Sequence, residues 1–174
     1  MTNDEKPKLW ESTPDRQQRN KDLYVLLGMM VRTAANVELM LQAIALNLVE
    51  SPYAMQLVAG DSASRAAETI RRVIAANPRL SSDAGVDLSA LLSESEALFR
   101  RRNGYVHGYW SASADPDGEQ SLSTGRFRRS GDIEQSPLDA DDLKELVSGL
   151  NGLDAKFRKW LVAWVSDGHQ GSTT

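Results

Sequence analysis

Leu23, Leu27, Met30, Ala34, Val37, Leu41, Ile44 and Leu48 recur in alternating steps of four and three residues. That spacing is the seam of a long bundle helix. It predicts a helix from about Asp15 to Ser51-Pro52, because a residue before proline avoids the helical region. YAMQLVA then reads as a short turn or helical piece. Gly60-Asp61-Ser62 restarts the chain, and Asp61 or Ser62 supplies a side chain able to cap the next helix. That helix is predicted to run to about Ala76, with Ala63, Ala66, Ile70, Val73 and Ile74 inward, and Asn77-Pro78 stops it. A third helix is predicted to start between Asp83 and Asp87, carrying Leu88, Leu91, Leu92, Leu98 and Phe99. Beyond Ser136-Pro137 a last helix shows Leu143, Leu146, Leu150, Leu153, Phe157, Trp160 and Trp164, again in steps of three and four.

Residues 111–137 differ in kind. They are rich in Ser, Gly, Asp and Pro; ADPDGE is a turn signal, and SLSTGRFRR can pair back onto GYWSAS as a strand. The sequence thus predicts an all-α fold. It is a four- to five-helix up-down bundle, packed near-antiparallel at shallow angles, with a hairpin-like excursion before the last long helix. One helical domain is expected over 14–166, between flexible tails at 1–13 and 167–174. No internal repeat is present.

The patch RRNGYVHGYW at 101–110 interrupts this regularity. On a wheel at about 100° per residue with Leu98 at zero, Leu91, Leu88, Val106, Phe99 and Leu92 span roughly 20° to 120°, and Arg102 falls near 40°. Arg100 and Arg101 fall outside the stripe, where a solvated arginine belongs. A guanidinium does not lose its proton in a protein, and burying it without an anion is costly. Arg102 is therefore expected to meet a carboxylate, with Glu38 on the first helix as candidate, or to face a cavity that an anion enters. Asn103 and His107 are four residues apart and share one side of the helix. On the same wheel Arg102 and His107 lie about 140° apart, which suits a cleft shared across a two-fold axis and so a homodimer. A histidine at a helix C-terminus also interacts well with the free carbonyls there, a purely structural alternative.

Composition narrows the chemistry. The 174 residues contain 20 Lys and Arg against 24 Asp and Glu, a net charge of −4, which does not suit a non-specific nucleic-acid coat. Between Leu98 and Gly131 six arginines face three acids, so this stretch is +3 and the remainder −7. A local basic face on an acidic body fits a discriminating anion site. There is no cysteine, hence no disulfide or thiolate metal site. The sequence shows no convincing cluster of metal ligands, and no metal or cofactor is expected. No apolar leader is seen at MTNDEKPKLW, and no uninterrupted apolar run of membrane-spanning length is apparent, so a soluble cytoplasmic protein that does not engage a membrane is expected.

Arg102-Asn103-x-x-x-His107, followed by Gly108-Tyr109-Trp110, resembles the signature of the HEPN superfamily of all-helical domains. The resemblance extends over most of the chain in order: a long first helix with an inward acid, the motif at the end of the third helix, and a long last helix. The excursion at 111–137 is not part of it. The resemblance implies a metal-independent endoribonuclease acting at a dimer-interface cleft, as a toxin of a toxin-antitoxin pair or a phage-defence effector. Arg102 and His107 would be catalytic, with Asn103 assisting and Glu38 supporting. The residues suit that chemistry in their own right. Histidine changes charge near neutrality and can take the 2'-hydroxyl proton as that oxygen attacks the adjacent phosphate. Arginine can hold charge growing on the phosphoryl oxygens. The expected product is a 2',3'-cyclic phosphate, from tRNA or mRNA. Arg101, Tyr105, Tyr109, Trp110, Arg126 and Arg128 are candidate RNA contacts, by phosphate binding or base stacking. The aromatic residues equally suit packing, and the arginines a solvated loop. An antitoxin or regulatory protein is an expected partner.

Two other readings use the same residues. One is a non-catalytic dimeric relative that binds RNA, a nucleotide or a partner protein. The other is a structural dimerisation domain in which Arg102 is locked to Glu38.

Overall fold

The computed structural model describes residues 14–49, 51–114, 120–127 and 131–168. Its elements are α1 (Pro14–Leu48), α2 (Ala54–Val58), α3 (Ala63–Ala76), α4 (Ser82–His107), β1 (Tyr109–Ala114), β2 (Gln120–Phe127), β3 (Ile133–Pro137) and α5 (Ala140–Gly168). The expected tail at 1–13 and residues 169–174 lie outside the described residues, whereas 167 and 168 continue α5.

Local chemistry sets the helix boundaries. Ser62 caps α3, its hydroxyl accepting the Arg65 N–H at 3.5 Å. Asn77 closes the same helix in an extended conformation (φ −86°, ψ 108°), as a residue before proline must. Ser81 caps α4 by accepting from the Ala84 N–H at 3.2 Å. Gly60 enters the α3 turn at φ +81°, a backbone region that only glycine adopts freely.

The anticipated stripes form the core. Met30, Ala34, Val37, Leu41, Ile44 and Leu48 of α1 are buried, with Leu23 nearly so, and they meet Leu143, Leu146, Leu150, Leu153 and Phe157 of α5. α3 adds Ala63, Ala66, Ala67 and Ile70; α4 adds Leu88, Leu92, Leu98 and Phe99. Fully burying one such large side chain is worth roughly 1.5–3 kcal/mol. α4 and α5 run antiparallel, tied by Arg101 to Asp142, Lys156 to Glu94 (2.8 Å) and the Trp160 indole N–H to the Ala84 carbonyl (3.1 Å). Gly149 lets the two helices close. A Cβ there would sit 3.0 Å from Leu98 Cδ2.

The excursion is a three-stranded antiparallel sheet in the order β1-β2-β3. The expected hairpin is present, with Tyr109 opposite Gly125 and Ala114 opposite Gln120. β3 was not foreseen; it pairs Phe127 with Ile133 and Ser123 with Pro137. The sheet packs through β2 against the end of α4.

α1 departs from expectation in one respect. Over Gln17–Leu48 it is long and apolar enough, by length and composition, to cross a membrane, although its buried stripe is the core of the bundle. The reason is that its outward face is apolar as well.

Candidate functional site

The buried positions of α4 are Gly85, Leu88, Leu92, Ser95, Leu98 and Phe99. Steps of three and four through 85, 88, 92, 95 and 99 lead next to 102. The arginine therefore continues the inward stripe, as the wheel predicts, and it is half-buried. Its Nε is sealed from solvent with no hydrogen-bond partner, and its Nη1 donates to Asn103 Oδ1 at 3.0 Å. No carboxylate pairs with it among the described residues.

Glu38 does not supply that partner. It accepts instead from the backbone N–H of Ala63, at 3.4 Å, beside the start of α3. The end of α4 is held instead at Asp142, on the first turn of α5.

Arg101, expected to be solvated, is tied to α5. Its Nη2 donates to Asp142 Oδ1 at 2.6 Å and its Nη1 to Glu145 Oε1 at 3.4 Å. The Tyr105 hydroxyl donates to the other oxygen of Asp142. Burial, then the bond to Asp142, pushes the Tyr105 phenol up. Burial works to raise the Asp142 carboxyl, but the hydrogen bonds from Tyr105 and Arg101 outweigh it and hold the group below the usual carboxylate range. Tyr105 also packs against the core. Arg101 and Tyr105 thus clamp α4 to α5, one on either side of Arg102 and Asn103. The sequence signal for this clamp is LDADDLKE, an acid-rich first turn at the start of α5 opposite the basic end of α4.

His107 is the last residue of α4, and it is exposed. Gly108 follows in extended conformation (φ −74°, ψ 146°). A Cβ there would lie 2.5 Å from the Gly104 carbonyl oxygen and 3.1 Å from Thr124 Cβ. Glycine lets β2 close over the end of the helix, where Gly125 is buried. Tyr109, the first residue of β1, is 62% exposed and free of such packing. Trp110 and Arg126 have described backbone in β1 and β2, but their side chains lie outside the described residues, as does all of Arg128.

Arg102, Asn103 and His107 therefore share the last two turns of α4. The Arg102 guanidinium donates to Asn103, which shares one side of the helix with His107. Chemically, the turn offers fixed cationic donors beside an accessible imidazole. No group of three or more His, Cys, Asp or Glu side chains is placed to hold a metal among the described residues.

In comparison with known proteins, the chain matches no family model, no curated protein and no solved structure. Fold and site define the class as a helical bundle with an Arg-Asn-x-x-x-His turn at a helix end, beside a small antiparallel sheet.

Proposed function

We propose that the chain is a metal-independent endoribonuclease of HEPN type, working in the cytoplasm as a toxin or defence effector. One observation carries the reading. Arg102 is a half-buried guanidinium with a sealed, unpartnered Nε and no carboxylate partner among the described residues, two turns or less from an exposed imidazole. A buried cation left without an anion is costly to folding, and retaining one is reasonable where an anion arrives as ligand. A phosphodiester meets that need. The 2'-oxygen attacks phosphorus, and His107 takes the 2'-proton. The bond to the 5'-oxygen breaks, and that oxygen takes a proton from solvent or from a second imidazole. Arg102 steadies the phosphoryl oxygens throughout. Asn103 holds the aim of the guanidinium.

Wild type and His107→Ala, matched for thermal stability, would be incubated with end-labelled tRNA and total RNA, with and without EDTA. Cleavage by the wild type is expected to leave 2',3'-cyclic phosphate ends, to survive EDTA and to spare DNA. Loss of the base should slow it by about 10²- to 10⁴-fold. Inert wild type, EDTA-sensitive cutting, or cutting of DNA would overturn the proposal. RNA binding without cleavage would instead favour a non-catalytic binding module on the same turn.

A further inference from the structure

Arg101 and Tyr105 are among the residues expected to touch RNA, yet both spend polar atoms on one carboxylate. Arg101 Nη2 donates to Asp142 Oδ1 at 2.6 Å, and the Tyr105 hydroxyl donates to Asp142 Oδ2. Arg101 Nη1 is turned to Glu145 at 3.4 Å, and Tyr105 also packs against the core. The two residues are one helical turn apart, with Arg102 and Asn103 between them. His107 ends the helix two residues beyond Tyr105. Just past it, a Cβ on Gly108 would meet Thr124 and the Gly125 carbonyl of β2. The last two turns of α4 are therefore fastened at two levels, by Asp142 before His107 and by β2 after it.

We infer that Asp142 is a positioning residue for the Arg102-Asn103-His107 turn, and that Arg101 and Tyr105 act on the reaction through it and not by touching RNA. This role rests on the ribonuclease reading. Side-chain tips stand about 5–6 Å from a helix axis, so a rotation of the helix end by about 10° moves the imidazole by about 1 Å. A misplacement of that size costs on the order of 10²-fold in rate. Hydrogen bonds from positions 101 and 105 to one carboxylate oppose that rotation.

The sign of the charge separates positioning from binding. Burial works to raise the Asp142 carboxyl, but the bonds from Tyr105 and Arg101 hold it below the usual carboxylate range, so it stays ionised. An ionised acid near the path of a polyanion repels it. Taken by charge alone, removal of Asp142 would tighten RNA binding and leave the chemistry untouched. Taken as positioning, its removal slows the chemistry in molecules that remain folded.

Steady-state cleavage of end-labelled tRNA by the full chain, well below the melting midpoint of each variant, tests the assignment. Asp142→Ala is expected to lower kcat by about 10- to 100-fold, with KM unchanged or lower. Tyr105→Phe keeps the ring, so base stacking would be untouched. It is expected to lower kcat by about 3- to 10-fold, and to have no further effect beside Asp142→Ala. A kcat for Asp142→Ala within about 2-fold of wild type would overturn the assignment. So would a raised KM at constant kcat in Arg101→Met or Tyr105→Phe, or a Tyr105→Phe effect that persists in full beside Asp142→Ala. Amide hydrogen exchange, read by mass spectrometry, needs no RNA. The segment 102–108 should exchange about 10-fold faster in Asp142→Ala while 88–99 is unchanged. Unaltered exchange at 102–108 overturns the assignment whether or not the chain cleaves RNA. Faster exchange there, in a chain whose wild type leaves RNA intact, supports the clamp and sinks the ribonuclease reading alone.

Discussion

Asp142 is the residue through which α5 holds the end of α4, and Asp142→Ala should release it. Three contributions are lost. The Tyr105 hydroxyl loses a charged acceptor; such bonds are worth roughly 1.5–3 kcal/mol when buried, so about 1 kcal/mol is reasonable at this half-exposed site. Arg101 loses its shorter ion pair, whose side chains are 35% and 41% exposed. Solvent screening reduces that contribution to about 0.5 kcal/mol. The first turn of α5 also loses an acid near its positive end, worth roughly 0.3 kcal/mol. The total is about 2 kcal/mol, or a fall in Tm of about 4–8 °C for a chain of this size. The effect has a definite pH dependence. Asp142 is held below its ordinary value in the folded state, so its contribution is complete above the unfolded carboxylate value near 3.9 and is lost as pH falls through the lower folded value. Urea denaturation of wild type and variant should show the full gap at pH 7 and a closing gap below about pH 4. Tyr105→Phe should cost about 1 kcal/mol, and the double variant should show coupling of similar size. A gap below about 0.5 kcal/mol at pH 7, or one that stays constant from pH 7 to pH 3, would refute the assignment of the clamp.

Arg102→Met removes a sealed Nε that has no partner together with one part-buried bond to Asn103, so folding stability should hold or rise by up to about 1 kcal/mol while RNA cleavage disappears; a thermal melt lowered by several degrees would show that the guanidinium has a structural partner beyond Asn103. Gly108→Ala should lose roughly 1–3 kcal/mol in denaturant titration, because its methyl group meets the Gly104 carbonyl oxygen; an unchanged midpoint would mean that the helix end gives way freely. Mixing Arg102→Gln with His107→Ala should restore about a quarter of wild-type cleavage, as a cleft shared across a two-fold axis requires; no recovery would place a whole site in each copy.

The helices were legible in the sequence because their signals are local and repeated. The α1 and α5 stripes bury where the three-four spacing puts them. Ser62 and the two X-Pro steps mark ends by chemistry that acts within a few residues. The β1–β2 pairing followed from a turn signal between two strand-like runs. β3 was missed because Ile133–Pro137 contains a proline and lies at the sheet edge, the one place where a strand tolerates it. The partners of the arginines were not legible for a different reason. A wheel describes a single helix. It placed Arg102 inward correctly, but it carried no information that Asp142, 41 residues beyond Arg101, would neutralise that neighbour. Nor did it show that Glu38 lies beside α3 and away from the end of α4.

The division of labour between Arg101 and Arg102 follows from that packing. Two guanidinium groups on adjacent residues point about 100° apart on a helix. Only one of them can face the acid-rich first turn of α5, and Arg101 takes it, with Tyr105 sharing the same carboxylate from one turn further on. Arg102 is then directed along the core stripe, where it donates to an amide oxygen and forms no ion pair among the described residues. Had Asp142 been placed to meet Arg102, the turn would be a closed ion pair with little to offer a phosphate. The carboxylate is held by Arg101 and Tyr105, and Arg102 has no ion-pair partner among the described residues. The clamp at 101, 105 and 142 therefore fixes the helix end and engages both oxygens of its acid.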